Sequence, residues 1–130
     1  MANPIATAMA EANFSAVHLE MRDIYAPNDP QFERYREGLR YSPDDRPEWF
    51  QNWTEFAGEV IDRGVAMRRA RIVSEPVTEY IRYEHHVTFL NVAIGEQVRR
   101  LPRRLAADIA LPGTDLWILV PPRSDRRPTA

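Results

Sequence analysis

Arg69, Arg71, Glu75, Tyr80, Arg82, Glu84, Glu96, Arg99 and Arg100 follow one another through two strand-like runs and the helix-like run between them. These are the candidate ligand- or partner-binding residues. Arginine offers a planar fork that meets carboxylate or phosphate at two points, and neighbouring carboxylates can divide acid and base duties. In a functional arrangement Glu75, Tyr80, Arg82, Glu84 and Glu96 line a cleft at the end of a sheet. If the strands around Arg69 and Arg99 are adjacent, Arg68 and Arg69, Arg71, Arg99 and Arg100, and Arg103 and Arg104 converge to hold phosphate, nucleic acid or an acidic partner. The competing assignment is structural, with Glu75 and Glu79 stabilised in the first turn of a helix by its dipole.

No cluster has the spacing of a known active site, so no catalytic residue is assigned. In Glu84-His85-His86, adjacent helical histidines point about 100° apart and do not converge on one metal. There is no Gly-rich phosphate loop and no nucleophile elbow; Ser74 precedes Glu-Pro rather than Gly. Cysteine is absent, which excludes disulfides and thiolate metal sites and fits a reducing cytoplasm. No metal or cofactor is expected. No aromatic platform or nucleic-acid motif accompanies the arginines, which disfavours nucleic acid as a partner.

These residues need elements to position them. Val65 to Ser74 reads as a strand, Glu75-Pro76 as its break, Val77 to Leu90 as a helix, Asn91 to Glu96 as a turn around Gly95, and Gln97 to Leu101 as a strand. Pro102 opens a short helix to Ala110, and Asp115 to Val120, with its unbroken apolar run from Leu116, predicts a strand in a central position. Upstream, Phe14, Val17, Met21 and Ile24 follow helical steps over Phe14 to Tyr25, with Asn13 or Ser15 as cap; Val17, Leu19 and Met21 also alternate as a strand would. Asp29 and Pro30 open a helix from Gln31 to Glu37, stopped at Gly38. Pro47 or Glu48 opens another that ends near Gly64, with Trp49, Trp53, Phe56, Val60 and Ile61 on its core stripe.

The expected fold is therefore α+β: a small three- to four-stranded sheet with a strand–helix–strand crossover over residues 65–101, and N-terminal helices packed on one face. Residues 1–12 read as a flexible leader, 13–120 as one domain and 121–130 as a flexible tail. No run of about 18 apolar residues predicts a membrane span.

The 130-residue chain carries a net charge of −2 that hides an asymmetry. Residues 1–62 hold five Arg against twelve Asp and Glu, a net −7, whereas residues 63–104 hold nine Arg against four Glu, a net +5. The halves can attract each other within the fold or across a homodimer. All seventeen basic residues are arginine, which with abundant Pro and Ala suggests a GC-rich, actinobacterial genome.

Laid out this way, the chain resembles the actinobacterial domain-of-unknown-function family 6879. The resemblance spans residues 14–120 and rests most specifically on Val73 to Tyr80 with Gly95-Glu96. Arg82-Tyr83-Glu84, Leu101-Pro-Arg103 and Asp115-Leu-Trp117 add to it. It implies genes commonly found beside helix-turn-helix regulators. It also implies a longer pattern, with further strands and a helix, after the point where this chain reaches Pro121-Pro122. The strand order looks like half of a phospholipase D-like fold too, but a chain without lysine lacks the His-Lys motif of those enzymes. The expectation is a non-catalytic, cytoplasmic regulatory or protein-interaction module whose partner is a helix-turn-helix transcriptional regulator. The alternative is a small-molecule-binding protein or enzyme using the Glu/Tyr/Arg cleft of residues 75–96.

Overall fold

Four strands form one mixed sheet in the order β3-β2-β1-β4. The structure, a computed structural model, describes residues 4–11 and 15–120. Its elements are α1 (Pro4–Glu11), β1 (Ser15–Glu20), α2 (Pro30–Arg36), α3 (Gln51–Asp62), β2 (Ala66–Val73), α4 (Glu79–Ile94), β3 (Gln97–Pro102) and β4 (Leu116–Leu119). Short 3-10 turns at Glu48–Phe50 and Arg103–Ala106 lead into α3 and follow β3. β1, β2 and β3 run parallel, while β4 pairs antiparallel with β1. The β2-α4-β3 crossover over residues 65–101 and the α+β class are as the sequence predicts.

The two parallel connections step the same way across the sheet. Right-handed crossovers then bring their helices to the same face. The registers Ala16↔Met67, His18↔Arg69, Arg69↔Val98 and His18↔Trp117 identify the residues of that covered face. Met9 of α1, Ala57 and Val60 of α3, Ala16 of β1 and Met67 of β2 are buried together, with Trp53, Trp117 and Leu119 packed against them. A second cluster joins Phe32 of α2 to Tyr80, Tyr83, Val87 and Leu90 of α4, with Trp49 packed on it. Both tryptophans of the α3 region thus serve the core, as their helical spacing suggests.

The helix over Phe14–Tyr25 is corrected: Ser15–Glu20 is a strand. Alternation prevails over the three- and four-residue steps because β2 and β4 both supply pairing partners. Asn13 and Phe14 lie outside the described residues. The 1–12 leader contains α1, whose Met9 is 1% exposed because it fills the space between the sheet and α3. The 121–130 tail lies outside the described residues. β4 is an edge strand rather than a central one; its apolar run comes from lying beside β1, with Leu119 packed into the core and Ile118 left 55% exposed. The helix expected over Pro102–Ala110 is a single 3-10 turn.

α4 outlasts its expected end at Leu90 and runs to Ile94, since Asn91 finds a partner for its side chain in Glu96. Gly95 then caps it at φ 117°, a left-handed conformation that favours glycine. At its start Thr78 is the cap, accepting from the Ile81 N–H. Glu75 therefore lies ahead of the helix instead of in its first turn.

Candidate functional site

The sheet's helix-covered face carries a polar network beneath α4. Strand alternation places His18 and Glu20 of β1 beside Arg69 and Arg71 of β2. Arg69 donates to Glu20 Oε1 at 2.5 Å and, through Nε and Nη2, to Glu96 Oε1 at 3.2 and 3.0 Å. Glu96 Oε2 accepts from Trp53 Nε1 at 2.8 Å and from Asn91 Nδ2 at 2.7 Å. Arg71 donates to Thr88 Oγ1 and lies 3.3 Å from Glu84 Oε1 and 3.6 Å from Glu20 Oε2. His18 stacks on Trp117 with centroids 4.1 Å apart.

Glu20 and Glu84 titrate in opposite directions within this network. Burial raises Glu20, but the contact with His18 and the charges of Arg69 and Arg71 outweigh it and hold the carboxyl at about 2. Burial also raises Glu84, the Glu20 charge adds to it, and Arg71 offsets only part, so Glu84 is pushed up to about 7. Glu84 Oε2 and Arg71 Nε have no hydrogen-bond partner within the described structure. A carboxyl that keeps its proton near neutrality can donate to an ionised neighbour. Glu84 borders a cleft of about 280 Å³ walled by Trp49, Phe50, Tyr80 and Tyr83. Burial raises the Tyr83 hydroxyl above its ordinary range, so it stays protonated.

α4 divides the sequence candidates between two sides. Tyr80 and Glu84 border the aromatic cleft. Glu75, Arg82 and Arg100 border a larger one of about 630 Å³ between α4 and β3. Arg69, though held in the network, also borders the aromatic cleft, on the far side of α4 from Glu75, whereas Glu96, 4% exposed, borders neither. The arginines do not converge: successive side chains of a strand point to opposite faces, so Arg69, Arg71 and Arg100 lie under the helices while Arg68 and Arg99 lie on the other face. The histidines diverge as their spacing requires. His85 contacts Arg100, and His86 Nε2 accepts from the Tyr41 N–H at 2.9 Å. Among the described residues no group of His, Cys, Asp and Glu is arranged to hold a metal ion, and no helix is long and apolar enough to cross a membrane.

His18, Glu20 and Trp117 belong to the network but not to the sequence candidates. Only the β1 register reveals them, and a helical reading of that segment scatters them.

The opposite face of the sheet carries Val17 and Leu19, Arg68, Ala70 and Ile72, Arg99 and Leu101, and Leu116 and Ile118, with Ile72 buried. None of α1–α4 covers it; Arg68 and Arg99 are exposed and Val17, Leu19 and Leu116 half-buried.

With fold and geometry in view, the chain belongs to the family described as Domain of unknown function (DUF6879), which it matches over residues 4–121. No curated protein and no solved structure matches it.

Proposed function

We propose that the domain is a non-catalytic regulatory module that docks a protein partner on the helix-free face of its sheet. The observation that carries this reading is the apolar strip Val17, Leu19, Leu116 and Ile118, bordered by the exposed guanidinium groups of Arg68 and Arg99. Exposed apolar surface with a charged border is the usual anatomy of an interface. The matching partner surface is an apolar helix or strand edged with carboxylates. The family resemblance suggests a helix-turn-helix transcriptional regulator as its owner. The buried network supports the non-catalytic part: Glu20 and Glu96 are occupied by Arg69, Arg71, Trp53 and Asn91, and Glu84 Oε2 is shielded from solvent.

Co-expression with the helix-turn-helix regulator encoded nearest to it, followed by size-exclusion chromatography, tests this. A stable complex is expected at micromolar concentration. Ile118→Asp and Arg99→Glu abolish it while leaving the thermal midpoint within about 3 °C, since both side chains are exposed. No complex, or one indifferent to both substitutions, refutes the proposal. Concentration-dependent dimerisation abolished by Ile118→Asp assigns the face to a second copy of the chain instead.

A further inference from the structure

The larger cleft, on the covered side of the sheet, lies between α4 and β3 and measures about 630 Å³, within the range of small-molecule sites. Its walls are apolar: Val73, Val77, Ile81, Val98 and Pro102. It opens where β2 and β3 end, at Val73 and Pro102. The carboxyl ends of parallel strands are where open sheets of this kind present their ligand crevices.

The charges around it do not balance. Glu75 is the acid at the rim, and it is engaged at 2.8 Å by Arg104, outside the cleft lining. Arg82 makes no ion pair or side-chain hydrogen bond with any described residue. Arg100 finds only His85 Nδ1, which must be unprotonated to receive it. Behind Arg100 its strand neighbour is Arg71, another cation. Burial and then the Arg71 charge lower the Arg100 guanidinium, while burial, Arg100 and Arg71 keep the His85 ring neutral. Two guanidinium groups thus border an apolar hollow with neither paired to a carboxylate, since Glu75 is taken by Arg104, and forked donors of this type bind carboxylate and phosphate oxygens.

We propose that this cleft binds a small anion with an apolar body, a carboxylate or monophosphate on an aliphatic or aromatic group. The head bridges Arg82 and Arg100, displacing the His85 contact. The tail lies on Ile81, Val77 and Val98. The site is separate from the docking face, because Arg100 and Val98 project to the covered side of the sheet and Ile118 to the other.

Titration calorimetry of the full chain with octanoate and phenyl phosphate, against octylamine and octanol as controls, tests the proposal. Binding of at least one anion and of neither control is expected. Arg82→Gln and Arg100→Gln each weaken it about tenfold, the loss of one charge-assisted contact. Arg82 is exposed, so its variant keeps the fold even if Arg100→Gln does not. Ile118→Asp leaves anion binding unchanged, which separates this site from the docking face whichever of the two fails. Equal binding of octylamine and octanoate, an Arg82→Gln variant with full affinity, or no heat from either anion at millimolar concentration overturns it.

Discussion

Glu20 and Glu84 face the same arginine yet respond to pH in opposite senses, and the stability of the domain inherits both. Glu20 is depressed, so its contribution is present above the ordinary carboxylate pKa of 4.5 and is lost as pH falls toward about 2. Glu84 is raised, so the folded state holds an extra proton between 4.5 and about 7 and stability declines as pH rises through that window. Glu84→Gln keeps the shape and removes the titration. Urea unfolding across that window should show the wild-type slope flattened in the variant, with the variant more stable at the alkaline end. An unchanged slope would mean that Glu84 titrates normally. Glu96 has both carboxylate oxygens occupied, because it receives Trp53, Asn91 and Arg69 at once. Glu96→Ala strands buried donors and a buried cation, and it should cost about 3–5 kcal/mol in the same assay.

At the scale of elements, what could be read from the sequence depended on whether the deciding forces were local. α2 follows from Asp29 and Pro30, whose cap acts within a few residues, and α4 from the break at Glu75-Pro76 and the helix-like run after it, although its cap at Thr78 did not follow. β1 did not follow, because its segment satisfies two periodicities and only pairing with β2 and β4 selects one. β4 was legible as a strand, but its edge position depends on topology. The candidate site was half legible for the same reason. Its residue types stand in one run, yet the side of α4 or the face of the sheet each occupies is settled by register.

Gly95 tests the local forces directly. An alanine there takes a strained left-handed backbone, and its Cβ meets Ile61 Cγ2 at 3.4 Å. Gly95→Ala should cost about 1 kcal/mol or somewhat more. Thr78→Ala should cost about 1 kcal/mol for the cap, and it also removes the Thr78 Oγ1 bond to the Asp23 carbonyl at 2.8 Å. Denaturant midpoints should fall in both variants with unchanged m-values. A Gly95→Ala protein of wild-type stability would contradict the cap geometry.

For the molecule as a whole, arginine content is a poor guide to binding until each guanidinium is placed. The acidic first half and basic second half meet inside the fold, where Arg69 and Arg71 reach Glu20. The candidate binding arginines left on the surface are divided, with Arg68 and Arg99 on the helix-free face and Arg82 and Arg100 at the cleft on the other side. A phosphate backbone is followed by a continuous track of cations, and its affinity falls steeply with salt because each contact releases counterions. Two separated pairs provide no such track. Mobility-shift titration with duplex and single-stranded oligonucleotides at low salt should therefore be flat to tens of micromolar protein, whereas a small anion such as octanoate is still bound. Tight, salt-steep oligonucleotide binding would show that the isolated pairs act together along one strand, and it would displace both the docking face and the cleft as the main uses of these arginines.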